Sequence, residues 1–331
     1  MHATPEALFV ETPTGWRMRP NAQAIIHEHR LSHRDIRIRT NSLGFRGPDL
    51  GPRHAPRILF LGDSITLADY VEEEETFVHL VANLSSAQGR PLETINGGVG
   101  AIGLENELAI LVESGLRTEP DVVVVCFYLN DVQASPGVRI HPPPRFLGWS
   151  RLVQHATRAV ATRRPATAET NDGISPALLD RWKEQTRGNF PPGQGDLYTN
   201  PEVFNAAIQT VFFDWGSAWS EGAWGRMEPV LTEFANLSKQ KGFHLLLVAF
   251  PVRMQVVVGY DYDFPQQRLK EIAHRLGVPV LDLLPGLRSA FRSQSPQLFY
   301  DQCHHTPYAQ RLIAERLCEF ILNNLHVARQ P

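Results

Sequence analysis

Residues 57–66 read Arg57-Ile58-Leu59-Phe60-Leu61-Gly62-Asp63-Ser64-Ile65-Thr66. The apolar run from Ile58 to Leu61, with no polar alternation, predicts a strand buried on both faces, the pattern of a parallel sheet. It runs straight into Gly62-Asp63-Ser64 and then towards an acidic helical segment beginning near Glu72. A serine at such a strand-to-helix turn sits at the mouth of the sheet, where backbone N–H groups can stabilise negative charge. Ser64 is therefore a candidate nucleophile, although the tripeptide alone reads more readily as a turn or a helix-capping serine.

Working outward, further β-branched or apolar runs stand at Leu92 to Ile95, Val122 to Phe127, His244 to Phe250 and Val278 to Leu283. Helical periodicity separates or follows them at Thr76 to Gln88, Leu104 to Gly115, Met227 to Lys241, Gln266 to Leu276 and Pro307 to Leu325. Each helix is long enough for a right-handed crossover. The alternation predicts an α/β fold, a doubly wound, flavodoxin-like α/β/α sandwich of about five parallel strands with its ligand site beyond their carboxyl ends. We read residues 1–331 as one domain with a lead-in segment over 1–50. An insertion over 132–225, between the third and fourth strands, is placed to cover the site as a lid. That insertion carries five of the six tryptophans, Trp149, Trp182, Trp215, Trp219 and Trp224. Phe212, Trp215 and Trp219 recur at helical spacing, which favours packing, while aromatic faces also suit a sugar or acyl platform.

Charge excludes one class of partner. Lys and Arg number 32 against 35 Asp and Glu, a net charge of −3, too balanced for a protein that neutralises phosphates along a nucleic acid. Residues 1–6, Met-His-Ala-Thr-Pro-Glu, lack a basic stretch followed by an apolar one, and no run is long and apolar enough to span a membrane, so a cytoplasmic location is expected. Cys126, Cys303 and Cys318 are an odd number in a long chain, which suits a reducing compartment better than a disulfide framework. Neither CxxC nor HExxH occurs, and no metal or cofactor is expected. Arg30, Arg34, Arg37 and Arg39, like the run Glu72 to Glu75, read as solvated charge.

The ends of the other strands supply what a nucleophilic serine lacks. The second ends in Asn96-Gly97-Gly98-Val99-Gly100, where missing Cβ atoms let a backbone N–H approach a ligand. The third ends in Phe127-Tyr128-Leu129-Asn130-Asp131, so the Asn130 amide is available to an oxyanion or to cap the following loop. Serine needs a base, and the base needs a third group to hold its tautomer. Asp301 and His304, three residues apart before the final helix, offer both from one loop. The adjacent Cys303 lacks a strand-to-helix turn to present it, and it reads as a buried bystander.

In order and in strand context, Gly62-Asp63-Ser64, Asn96 with Gly98, Asn130-Asp131 and Asp301-x-x-His304 resemble the four blocks of the SGNH (GDSL) hydrolase superfamily. The resemblance covers residues 57–131 and 230–325. Asn41-Ser42-Leu43-Gly44-Phe45-Arg46-Gly47 is also similar to the lead-in of a bacterial subgroup associated with polysaccharide O-acyl modification. The resemblance implies a serine esterase in which Ser64 is the nucleophile, His304 the base and Asp301 its orienting carboxylate. The oxyanion hole would comprise the Ser64 and Gly98 N–H groups and the Asn130 side chain. Asp63, Tyr128 and His305 would line the substrate pocket. Tyr128 stands where the family usually has glycine, and Ala68 and Asp69 stand where glycines often follow the first block. The implied substrate is a small acyl ester such as a saccharide O-acetyl group, making the chain an acetylesterase. An O-acyltransferase with the same triad and a non-catalytic carbohydrate-binding protein are the rival readings.

Overall fold

The computed structural model describes residues 8–132, 208, 215–258, 262–294 and 296–327. The predicted parallel sheet is formed by β5 (Arg57–Gly62), β6 (Glu93–Gly98), β7 (Val122–Tyr128), β8 (His244–Phe250) and β9 (Val280–Asp282). Their spatial order is β6-β5-β7-β8-β9, with every pairing parallel. The middle strand β7 and its neighbour β5 are buried at every position, and β8 at all but its first, whereas the edge strands are only partly covered. That gradient explains why the central strands read as unbroken apolar runs.

The order of the strands sets where the helices lie. The chain steps from β5 to β6 in one direction and then reverses through β7, β8 and β9, so right-handed crossovers place the connecting helices on opposite faces. After the single turn α1 (Ser64–Leu67), α2 (Phe77–Ala87) leads to β6. On the opposite face run α3 (Leu104–Glu113), α4 (Glu221–Lys241) and, beyond the short α5 (Arg253–Val257), α6 (Phe264–Leu276). After α7 (Leu284–Gln294), α8 (Pro307–Val327) returns to pack on α2. The result is the α/β/α sandwich expected, and its reversal point lies at the carboxyl end of β5.

The structure differs from the sequence reading at two places. The lead-in forms two antiparallel hairpins, β1 (Phe9–Thr12) with β2 (Gly15–Met18) and β3 (Gln23–Ile26) with β4 (Ile36–Arg39). Four-residue strands are too short to show a clear period, and in β4 the alternation of buried Ile36 and Ile38 with outward Arg37 and Arg39 reads first as a basic patch. Helix α4 begins at Glu221, not Met227, and accommodates Pro229 within it. Most of the segment read as an insertion, 133–207 and 209–214 with Trp149, Trp182 and Phe212, lies outside the described residues. Of its described tryptophans, Trp215 and Trp224 are core residues and Trp219 packs beside them. Trp224 stacks on Phe127 at 5.5 Å and donates to the Ala218 carbonyl at 2.8 Å, so packing uses its face.

The charged runs also have partners. Arg34 meets Glu75 at 2.9 Å, Arg39 meets Glu73 at 3.0 Å and Arg37 lies 3.9 Å from Glu72. The arginines of the hairpin and the acidic run after α1 thus face each other across the same seam.

Candidate active site

Ser64 opens α1 at the carboxyl end of β5, with Asp63 as the capping residue whose carboxylate accepts the Ile65 N–H at 2.8 Å. The turn closes at Ala68 in the left-handed conformation, φ 52° and ψ 45°. This is the backbone state that glycine adopts most cheaply, and Ala68 takes it without glycine's freedom. Gly98, at the end of β6, is demanded by contact: a Cβ there would lie 2.1 Å from the Leu67 nitrogen and 2.6 Å from the Thr66 carbonyl carbon.

The loop before α8 brings the remaining groups to the serine. Ser64 Oγ lies 3.0 Å from His304 Nε2, and His304 Nδ1 lies 2.8 Å from Asp301 Oδ2. The other carboxylate oxygen of Asp301 accepts the Cys303 and His304 backbone N–H groups, each at 2.9 Å. One short loop therefore aims the carboxylate and holds its own backbone at once. His304 is 9% exposed, and Ser64 is half-buried, so the hydroxyl is the more accessible member.

Electrostatics follow from this packing. Burial disfavours charge on both partners, but their mutual hydrogen bond and attraction outweigh it. Asp301 is held down at about 2 although burial alone would raise it, and His304 is lifted above the ordinary histidine value. Asp63 and Asp69 add to the upward pull on His304. The imidazole is thus poised to take and keep a proton from Ser64.

The three expected oxyanion donors are not equally available. Burial raises the Asp63 carboxyl above its ordinary range, while the Ile65 N–H, His304, the nearby Asn130 side chain and the Ser64 N–H pull it the other way. The Asn130 amide oxygen is buried without a hydrogen-bond partner, and its NH₂ group offers two donors. The Gly98 N–H donates to Asn96 Oδ1 at 3.0 Å, while Asn96 Nδ2 donates to the Thr66 carbonyl at 2.8 Å. Asn96 thereby ties β6 to the serine turn and occupies the Gly98 donor in this state.

Asp63, Tyr128 and His305, expected to line a pocket, are instead sealed beneath the site. Asp63 is spent on capping the serine turn. Tyr128 ends the fully buried β7, where its N–H donates to Asp131 Oδ2 at 2.8 Å. His305 packs between Phe250 and Phe299, with the latter ring centroid 4.7 Å away. Burial depresses its pKa to about 3, so it stays neutral.

The sequence reading missed two neighbours of the base. Tyr70, fully buried in the loop after α1, sets its ring edge-on to His304 with centroids 5.0 Å apart. His29, from the lead-in, lies 6.3 Å from the Tyr70 ring, and its Nε2 is 3.8 Å from Asp69 Oδ1. Neither belongs to a motif, and only the folding of the lead-in against the serine loop brings them near. Among the described residues, Asp301, Cys303 and His304 form the one group with metal-ligand spacing, but its carboxylate and imidazole already serve each other. Cys303, like Cys126 and Cys318, is a buried thiol outside any disulfide, with Sγ 3.5 Å from His304 Nδ1. No described helix is long and apolar enough to cross a membrane.

Together the elements define a doubly wound α/β sandwich with a Ser-His-Asp arrangement at the carboxyl edge of its sheet. No family model and no curated protein matches the sequence. Among solved structures, the chain is similar to an acetyl xylan esterase at 14% identity and a TM-score of 0.44, covering 80% of this chain and 99% of that one. It is also similar to a catalytic mutant of an acetylxylan esterase from Geobacillus stearothermophilus, at 14% identity and a TM-score of 0.45, over 81% of this chain and 95% of the other. A lipase/acylhydrolase from Enterococcus faecalis aligns at 15% identity with a TM-score of 0.45, over 81% and 96% of the respective chains.

Proposed function

We propose that this protein is a serine ester hydrolase of the SGNH type that acts through an acyl-enzyme intermediate. The observation that carries the reading is the continuous path from Ser64 Oγ through both ring nitrogens of His304 to Asp301, at 3.0 and 2.8 Å. Ser64 Oγ attacks the ester carbonyl as its proton passes to His304 Nε2, and Asp301 stabilises the imidazolium. The negative oxygen of the tetrahedral adduct takes its hydrogen bond from Asn130. Collapse of the adduct breaks the C–O bond, and His304 returns the proton to the departing alcohol. Water then attacks the acyl-enzyme, giving its proton to His304, and release of the acid restores Ser64.

The substrate class we propose is a small acyl ester, with the O-acetyl group of a saccharide as the leading case. The test is hydrolysis of p-nitrophenyl acetate and longer p-nitrophenyl esters by the protein and by Ser64→Ala, with and without added saccharide. Turnover that needs Ser64 and falls steeply with chain length is the expected result. Equal turnover in Ser64→Ala refutes the mechanism. Acyl product on the saccharide in place of free acid makes the protein a transferase with the same triad.

A further inference from the structure

Arg46 is buried to 4% exposure, yet its guanidinium meets no carboxylate among its hydrogen-bond partners. It donates instead to three carbonyls of one loop: Nη1 to Leu67 O and Ala68 O, each at 2.6 Å, and Nη2 to Val71 O at 2.8 Å. Its backbone N–H donates to Asn96 O at 3.0 Å, anchoring the residue to the end of β6. A desolvated cation is costly unless the bonds it makes are good ones, so three short bonds to a five-residue stretch mark a rigid attachment.

The loop so held is the one that follows the serine turn. Within it Ala68, Tyr70 and Val71 form a small buried cluster apart from the main core, closed by Leu31 of the lead-in and by Tyr300. Tyr70 and His304 meet edge to face, their planes 70° apart, and the Tyr70 hydroxyl accepts from Gln310 Nε2 at 3.3 Å. A planar fork spans the three carbonyls in a way that an ammonium cannot.

We propose that Arg46 is a positioning residue for the active site, acting through residues 67–71 to hold Tyr70 against the imidazole of His304. The lead-in is by this inference a working wall of the site. Its kinetic consequence rests on His304 being the base of the proposed esterase, whereas its structural consequence does not.

The test compares Arg46→Met, Arg46→Lys, Tyr70→Leu and the double variant Arg46→Met/Tyr70→Leu with the parent. Arg57→Met is the control, since Arg57 is also buried and donates to the Thr118 and Gly51 carbonyls, and to Glu93 as well, at the opposite end of β5. Two readouts are taken on folded protein: kcat and KM on p-nitrophenyl acetate, and the titration of the His304 ring by NMR, assigned with His304→Gln. Arg46→Met is expected to lower kcat about 10- to 10²-fold with KM little changed, the scale of a small misplacement of reacting groups. Its His304 titration moves upward as water reaches the ring, because burial is the largest influence holding that pKa down. Arg46→Lys, which keeps the charge without the fork, falls between parent and Arg46→Met and serves if Arg46→Met does not fold. The double variant is no worse than the poorer single one, because both changes act on one contact. Effects of Arg46→Lys and Arg46→Met that match those of Arg57→Met, or that add to those of Tyr70→Leu, overturn the proposal. A parent without Ser64-dependent turnover refutes the esterase reading, and the His304 titration then decides the role of Arg46 by itself.

Discussion

Replacing Asp301 by Asn changes one atom type at the point where the loop and the base meet. In the parent, Oδ2 accepts from His304 Nδ1 while Oδ1 accepts two backbone N–H groups. An asparagine keeps the oxygen that serves the backbone, so the loop retains its shape. It then turns an N–H towards Nδ1, which must give up its proton, and the proton moves to Nε2 facing Ser64. The base is lost through its tautomer, and kcat is expected to fall about 10⁴-fold. Stability changes through a separate route. A carboxyl that sits at about 2 when folded, against 3.8 in the unfolded chain, contributes about 2 kcal/mol at neutral pH. Its folded pKa is depressed, so that contribution is present above about 3.8 and is lost as pH falls towards 2. Asp301→Asn should therefore lower the urea midpoint at pH 7 and bring the pH 7 and pH 3 midpoints closer together. Steady-state hydrolysis of p-nitrophenyl acetate with paired urea melts measures both effects. A variant that keeps more than a tenth of the parent kcat would refute the tautomer argument.

Asn130→Ala should cost about 10² to 10³ in kcat with little change in KM, the scale of one oxyanion donor, since the Gly98 N–H is already committed to Asn96; a loss below threefold would assign the oxyanion to other donors. Because His304 is raised above the ordinary histidine range, kcat/KM should be lost as pH falls through a value above 6.5, where the base becomes protonated. A pH profile whose acid limb lies below 6 would contradict the imidazole environment described. Gly98→Ala forces the ends of β6 and the serine turn apart, and both the melting temperature and kcat should drop, the latter about 10²-fold. Parent-like melting and turnover would show that the turn can yield without cost.

The central sheet was legible because burial on both faces leaves its mark on consecutive residues. Val122 to Phe127 and His244 to Phe250 became β7 and β8 within one residue of their sequence bounds. That Ser64, His304 and Asp301 would come together was legible for a different reason: the topology delivers the ends of parallel strands and the loop before the last helix to one edge. What sequence could not supply was the hydrogen-bond state of each donor. Gly98 reads as an open backbone N–H, and only the fold shows Asn96 turned back upon it. His305 likewise reads as a second polar group beside the base, yet its ring is consumed by Phe250 and Phe299.

The lead-in was the least legible part, and its chemistry explains why. Its arginines alternate with apolar residues over only four positions in β4, and their partners, Glu72, Glu73 and Glu75, lie in a run that reads as solvated. Exposed pairs of this kind are worth about 0–1 kcal/mol each, so they orient the seam without holding it. Attachment comes from what they surround: Ile36, Ile38 and Phe45 enter the main core, and Arg46 reaches the serine loop from beneath. A buried guanidinium bound to carbonyls leaves no pattern in sequence, because carbonyls have none. Arg46 stands within the Asn41 to Gly47 stretch noticed in the sequence, but which backbone its guanidinium holds shows only once residues 67–71 have been placed.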